Sequence, residues 1–257
     1  MKSPETWKPT KFSYINGKLG ANGTPSSCGP ERFMVNHIAA VYNEFIPKYC
    51  SGVLADIGCG DLPMYGYYKS FVSDVIAVDW ANSLHKNEHL DITADLNAPP
   101  IPGLSDNSVD CIICSDVLEH LYKPCELLSD LNRILKPGGK LLLNVPFLYY
   151  VHEAPYDYHR YTIYALRRMF ADTGFRILEE KTMGNGPEAA GQFLGVCARN
   201  GLRHGNDFWA RVLSSFPDLL KWLPVRHVFD YTTDMMPLGY AFAVEKCAVD
   251  ASAILNP

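Results

Sequence analysis

Between Val53 and Pro63 the chain reads Val-Leu-Ala-Asp-Ile-Gly-Cys-Gly-Asp-Leu-Pro. An apolar run ends in an acid, and two glycines follow one residue apart. That is how a buried strand enters a tight turn. Glycine takes positive φ at no steric cost and lets the backbone approach a ligand closely. The turn alone fits many nucleotide-binding folds, and the segments after it narrow the choice. Val75-Ile-Ala-Val-Asp79 reads as a second strand that also ends in an acid. Asp95-Leu96 ends a third, and Val109-Asp-Cys-Ile-Ile-Cys-Ser-Asp116 is a fourth. Leu135-Lys-Pro-Gly-Gly-Lys-Leu-Leu-Leu-Asn-Val-Pro146 leads into a fifth, Phe175 to Met183 reads as a sixth, and Gly239 to Cys247 as the last.

Helical patterns fall between these strands, which predicts a parallel sheet with right-handed crossovers. Glu31 to Tyr49 carries Phe33, Ile38, Val41, Tyr42 and Phe45 at helical spacing. Pro124 to Lys136 has an apolar stripe and meets a stop at Pro137-Gly-Gly139. Thr162 can cap a helix that runs to Asp172, and Gly174 can end it. Residues 1–30, rich in Pro, Gly, Ser, Thr and Asn, read as an irregular arm that is either a loose terminus or a lid. Asp207 to Leu223 is helical and very apolar, through Phe208, Trp209, Val212, Leu213, Phe216, Leu219, Leu220, Trp222 and Leu223. It is either a cap or ordinary core.

A net charge of −5 with no dense Lys/Arg run disfavours a nucleic-acid substrate. No signal peptide is visible, and the longest apolar stretch, Leu141 to Val151, is broken by Asn144 and Pro146. A cytoplasmic protein is the expectation. The chain has eight cysteines. Cys111 and Cys114 sit three apart on a strand and must point to opposite faces, so they cannot easily chelate one metal. Reduced, mostly buried thiols are expected.

In this order the segments resemble the class I S-adenosylmethionine-dependent methyltransferases, over roughly residues 50 to 183. The resemblance is closest to small-molecule members associated with bacterial glycan or secondary-metabolite assembly. It implies a Rossmann-like α/β fold with a seven-stranded, mostly parallel sheet flanked by helices. Residues 31–257 would form the methyltransferase domain, with 184–238 as a helical insertion or cap before the last strand. It implies S-adenosylmethionine as cofactor and leaves the acceptor and the oligomeric state open.

The resemblance assigns Gly58, Cys59 and Gly60 to the methionine half of the cofactor, with Asp56 at its amino group. Asp79 can accept two ribose hydroxyls. Trp80 can lie against adenine, Asp95 can accept its exocyclic amine, and Leu96 offers backbone nearby. Ser115 and Asp116 would line the methionine end. Two departures matter. Leu62 stands where the family has a third glycine, and Pro63 occupies the last position of the dinucleotide pattern G-x-G-x-x-G. The second weakens an NAD reading. The first leaves the methyltransferase reading intact, because a helix can start on Pro63.

Ser115-Asp-Val-Leu-Glu-His-Leu121 places His120 where this family faces the transferred methyl; it is a base or a structural group. A second cluster, Pro146 to Tyr161, gathers two histidines, two acids, an arginine and five tyrosines after the fifth strand. Core packing explains such a loop poorly, and it reads as an acceptor pocket. His152 and His159 are base candidates because imidazole titrates near neutral pH. Asp157 or Glu153 can orient the base. Arg160 can bind an anionic group or brace the loop, and Tyr150, Tyr156 and Tyr158 can contact the acceptor. His152, Glu153, Asp157 and His159 can also ligate a divalent ion, but no zincin-type motif supports it and no metal is expected. The expected reaction is O-methylation of a small-molecule or sugar-containing acceptor. N-methylation of an amino sugar or amine, and a non-catalytic scaffold that binds the cofactor, are the alternatives.

Overall fold

The computed structural model describes residues 1–21, 29–81, 83, 88–201, 207–220 and 227–247. An amino-terminal hairpin pairs β1 (Phe12–Ile15) with β2 (Lys18–Ala21). Helix α1 (Arg32–Tyr49) follows, and then the main sheet begins with β3 (Val53–Ile57). In chain order come α2 (Tyr65–Tyr68), β4 (Asp74–Asp79), β5 (Ile92–Thr93), β6 (Val109–Ser115), α3 (Pro124–Ile134), β7 (Leu135–Pro146), α4 (Ile163–Asp172) and β8 (Phe175–Met183). Four helices precede the last strand: α5 (Gly186–Gly201), α6 (Asp207–Ser214), α7 (Phe216–Leu220) and α8 (His227–Thr232). The last strand is β9 (Gly239–Lys246).

The sheet has seven strands in the order β5-β4-β3-β6-β7-β9-β8, and β9 alone runs opposite to the other six. This is the seven-stranded, mostly parallel sheet expected. β3 and β6 are covered on both faces, which is why they read as near-continuous apolar runs. Leu127, Leu131, Leu166 and Phe170 of α3 and α4 pack with Ile112 and Cys114 on one face. Ile38, Tyr42 and Phe45 of α1 pack with Cys111 and Ile113 on the other. Cys111 and Cys114 thus face opposite ways, as strand geometry requires. The seven cysteines described are free thiols, and Cys28 lies outside the described residues. After β3 the chain builds outward to β5, then returns to add β6 on the other side. Sites in open parallel sheets form at such a reversal, beyond the carboxyl ends of the strands. Among the described residues no helix is long and apolar enough to cross a membrane.

Several expected elements are corrected. Part of the arm is regular, the hairpin from Phe12 to Ala21. Asn16 and Gly17 both have positive φ, 52° and 73°, the requirement of a two-residue hairpin turn. The hairpin docks on α1: the Asn43 side chain accepts from the Leu19 amide at 2.8 Å and donates to the Leu19 carbonyl at 2.9 Å. Residues 22–28 of the arm lie outside the described residues. The helix after the glycines starts at Tyr65, not Pro63, because Leu62 adopts φ 52° and closes a turn onto the Cys59 carbonyl at 2.8 Å. Helix α3 stops at Ile134, and Pro137-Gly-Gly139 lies inside β7, beside a register irregularity between Val109 and Cys111. The N-cap of α4 is as expected, with the Thr162 hydroxyl accepting from the Ala165 amide at 3.3 Å.

The apolar stretch from Asp207 is two helices, broken at Ser215 ahead of Pro217. Phe208 is 65% exposed and Leu219 is 62% exposed, so core packing does not account for them. The cause lies in α5. A Cβ on Gly191 would sit 2.5 Å from Pro217, and one on Gly195 would sit 2.8 Å from Ser214. The helices meet through glycine and serine, which leaves the large side chains of α6 and α7 outside. Trp222 and Leu223 lie outside the described residues.

Candidate active site

A cavity of about 710 Å³ opens at the carboxyl ends of β3, β4, β6 and β7. Asp56, Gly58, Cys59, Gly60, Asp79, Trp80, Asp95, Leu96, Ser115 and Asp116 all line it. The strand register explains this convergence. Asp56 pairs with Ala77 on one side and Ile113 on the other, and Asp79 pairs with Thr93, two residues before Asp95.

Gly58 has φ 66°, and a Cβ there would lie 2.5 Å from a Val117 methyl. Only glycine fits. The Gly58 and Cys59 amides donate to the Val78 carbonyl at 2.8 and 3.1 Å, and the Gly60 amide donates to Asp79 Oδ2 at 2.9 Å. The Gly58, Cys59 and Gly60 amides therefore hold the loop against β4. Asp79 Oδ1 accepts from the Trp80 amide at 2.7 Å. A carboxylate oxygen can accept more than one bond, so this pinning orients Asp79 without exhausting it. Asp95 Oδ1 accepts from the Asn97 amide at 2.9 Å.

Asp56 is buried, and the Tyr68 hydroxyl donates to its Oδ2 at 2.7 Å. Burial pushes the carboxyl up to about 7, the Asp79 charge adds to the rise, and the Tyr68 bond opposes it. Asp116 has φ 53° and is held by a relay: the Tyr42 hydroxyl donates to Asn144 Oδ1 at 2.9 Å, and Asn144 Nδ2 donates to Asp116 Oδ1 at 2.6 Å. Leu62, Asp116 and Glu153 all carry positive φ around this cavity, a placement of strain common at functional sites.

The other end of the cavity is built from a 3-10 turn, Leu118–His120, and the loop after β7. Glu119 is 0% exposed, lines the cavity, and neither carboxylate oxygen has a hydrogen-bond partner. Its carbonyl accepts from the Tyr158 and His159 amides at 2.8 and 3.2 Å, which ties the loop to the turn. Burial, and then the Asp116 charge, raise the Glu119 carboxyl well above the usual range. His120 Nδ1 lies 2.9 Å from the Tyr156 carbonyl, and the His120 and His152 rings meet edge to face at 4.8 Å. Nε2 of His120 and of His152 lie 3.8 and 3.9 Å from Glu119 Oε1. Burial, reinforced by the neighbouring His120, lowers the His152 pKa.

The remaining loop residues have other positions. Asp157 Oδ2 accepts from the His152 amide at 2.9 Å, and Arg160 donates to both Asp157 oxygens at 2.6 and 2.7 Å. Arg160 also donates to the Tyr150 and His159 carbonyls at 2.9 and 2.7 Å. The pair braces the loop from behind, and neither residue lines the cavity. Asp157 is held below the usual carboxylate range: burial raises it, and Arg160 with the His152 amide more than offsets that. Tyr156 lines the cavity and packs edge-on against Trp80 at 5.0 Å. Tyr150 donates to Glu31 at 2.9 Å, Tyr158 packs on Tyr122, and His159 packs on Tyr161. These three lie outside the lining. Sequence reasoning missed Glu119, although it adjoins His120, because nothing in a sequence shows that an acid on a short turn is buried. It also missed Thr10, Lys11 and Phe12, which bring the hairpin to the cavity wall.

Residues 55–143 match the model of a methyltransferase domain. A probable S-adenosylmethionine-dependent methyltransferase of Mycolicibacterium smegmatis is 27% identical over 126 residues, which cover 45% of this chain and 46% of that protein. A ubiquinone biosynthesis O-methyltransferase of Xanthomonas oryzae pv. oryzae is 30% identical over 97 residues, 35% of this chain and 41% of that one. The chain thus spans under half the length of these curated relatives. A solved S-adenosylmethionine-dependent methyltransferase of Archaeoglobus fulgidus superposes with a TM-score of 0.52 at 19% identity, over 84% of this chain and 97% of that chain. At that identity the likeness speaks for the fold.

Proposed function

We propose, from the premise that this chain carries a class I S-adenosylmethionine-dependent methyltransferase domain, that it methylates a hydroxyl of a small-molecule or sugar-containing acceptor. One observation carries this reading: a single cavity joins the strand-end acids Asp56, Asp79 and Asp95 to the inward-facing imidazoles of His120 and His152. The donor set fits the cofactor. Asp79 and Asp95 would hold ribose and adenine and Asp56 the amino group, and the missing Cβ of Gly58 lets Val117 pack against the loop that carries them. S-adenosylmethionine, when bound, supplies a methyl group on a positively charged sulfur. The chain's own contribution is to position the acceptor, exclude water and take a proton. Nε2 of His152 or of His120 takes the hydroxyl proton as the methyl arrives. Asp157 Oδ2 and Arg160 Nη2 both lie 3.4 Å from His152 Nδ1, so the Asp157–Arg160 pair orients that ring. The 1–30 arm is read as a wall or lid, since Thr10, Lys11 and Phe12 reach the cavity; no described residue of 184–238 does.

The test is a screen of hydroxylated small molecules and sugar conjugates with labelled donor. On an accepted substrate His152→Ala should lower turnover by at least ~100-fold, the lower end for loss of a general base. Its affinity for S-adenosylhomocysteine should stay within about threefold, ~0.7 kcal/mol. Normal turnover in both His152→Ala and His120→Ala would replace this reading with an amine acceptor, which needs no base.

A further inference from the structure

Glu119 poses a problem that methyl transfer alone does not solve. A fully buried carboxylate without a hydrogen-bond partner is costly whether ionised or protonated, and proteins rarely keep one without a compensating ligand. Two imidazole nitrogens stand near its Oε1, and the charges of Asp116, Arg160 and Asp157 also act on it. The ligand atoms of Glu119, His120 and His152 all lie within 4.8 Å of one another. The distances of 3.8 and 3.9 Å from Oε1 to the two Nε2 atoms are too long for hydrogen bonds. Ligands ~2.1 Å from one tetrahedral ion lie about 3.4 Å apart, so a coordination shell closes if these two edges shorten by about half an ångström and the edge between the imidazoles, within 4.8 Å, by up to about 1.4 Å.

We propose that Glu119, His120 and His152 form a binding site for a first-row divalent transition metal ion, with its open positions toward the cavity. The outer contacts support this. His120 Nδ1 at 2.9 Å from the Tyr156 carbonyl can only be the donor, which leaves the lone pair on Nε2, facing Glu119. His152 Nδ1 lies 3.4 Å from both Asp157 Oδ2 and Arg160 Nη2, so the ring sits against the Asp157–Arg160 pair; coordination through Nε2 places the Nδ1 proton toward Asp157. The Arg160–Asp157 pair and the Glu119 carbonyl fix the loop that delivers His152 against the turn that delivers the other two. Two nitrogens and one oxygen select zinc, cobalt, manganese or iron over calcium and magnesium, which prefer all-oxygen shells. Glu153, whose Oε2 is 3.9 Å from His120 Nε2, stands beside the open side.

The site revises the expectation of no metal, and it uses a different set from the His152, Glu153, Asp157 and His159 group read in the sequence. What the ion does rests on the proposed function: an acceptor hydroxyl at an open position would be acidified by the ion, and the imidazole lone pairs would serve coordination in place of proton transfer. Whether the ion binds does not depend on that reading.

The experiment uses the full chain, stripped with a chelator and dialysed. Cobalt(II) is titrated by its visible absorption and zinc(II) by calorimetry. One equivalent should bind. Glu119→Gln and His152→Ala should each weaken binding by at least ~100-fold, beyond the 10–100-fold of outer-shell changes. His159→Ala, outside the cluster, should not change it. Circular dichroism and S-adenosylhomocysteine affinity check that each variant is folded. No binding by the wild type, or binding that survives in the folded Glu119→Gln and His152→Ala variants, overturns the proposal. A wild type that binds no ion, yet loses hydroxyl methylation in His152→Ala, refutes the metal and keeps the base. A wild type that binds the ion and methylates no hydroxyl refutes the acceptor reading alone.

Discussion

At the Asp56–Asp95 end of the cavity each key side chain sits at the end of a parallel strand or within two residues of it. At the Glu119–Arg160 end the side chains sit on a short turn and a loop that is braced by its own Asp157–Arg160 pair. The first end inherits its geometry from the sheet, where register aligns Asp56 with Ala77 and Asp79 with Thr93. The second must make its own rigidity from side chains and from the Glu119 carbonyl. A site of the first kind suits a ligand common to many relatives. A site of the second kind can change its acceptor without disturbing the sheet.

The two ends should separate under pH. Asp56 is buried and its carboxyl titrates near 7, with burial as the main cause. The sign follows from the folded value lying above the unfolded one of 3.8. The fold holds this proton where the unfolded chain has lost it, so the stability it confers is present at low pH and lost as pH rises through about 7. A ligand ammonium favours the ionised form. The affinity for S-adenosylhomocysteine should therefore fall by up to about tenfold per pH unit below 7. Asp56→Asn should remove that slope, measured by calorimetry between pH 5.5 and 8, a window set around the value of about 7. An unchanged slope in the variant would assign the titration to another group.

A smaller effect sharpens where the two ends meet. Tyr156 belongs to the loop after β7 but packs on Trp80, at 5.0 Å and 81°. Tyr156→Ala should weaken S-adenosylhomocysteine by the worth of an aromatic pair, about 0.5–1.5 kcal/mol. Tyr158→Ala, on the outer side, should leave it unchanged. Equal losses in both would mean that the loop folds as one unit with the cofactor wall.

How much could be read in advance follows the same division. That Asp56, Gly58, Gly60 and Asp79 meet at the strand ends was legible because strand-end acids and glycines are fixed by local rules of burial and φ. Leu62 was noticed as a departure, but its positive φ and the delayed start of α2 depend on the turn closing onto Cys59. The hairpin was locally legible through Asn16-Gly17, a turn signal overlooked inside a polar arm. The role of Arg160 was left open because a brace and an anion site look alike until Asp157 is seen behind it. Glu119 was illegible, since its burial arises where a turn after β6 meets a loop after β7. The exposure of Phe208 and Leu219 was illegible too, because it depends on glycines in another helix.

The central claim is that cofactor and acceptor chemistry occupy separable ends of one cavity. It is tested most directly by titrating S-adenosylhomocysteine into wild type, Asp79→Ala and His152→Ala in a calorimeter, with NAD as control. Asp79→Ala should lose two charge-assisted hydrogen bonds to the ligand, on the order of 2–4 kcal/mol. His152→Ala should bind within about threefold of wild type, ~0.7 kcal/mol, and NAD should not compete. Loss of binding in His152→Ala as large as in Asp79→Ala, or a preference for NAD, would contradict the account.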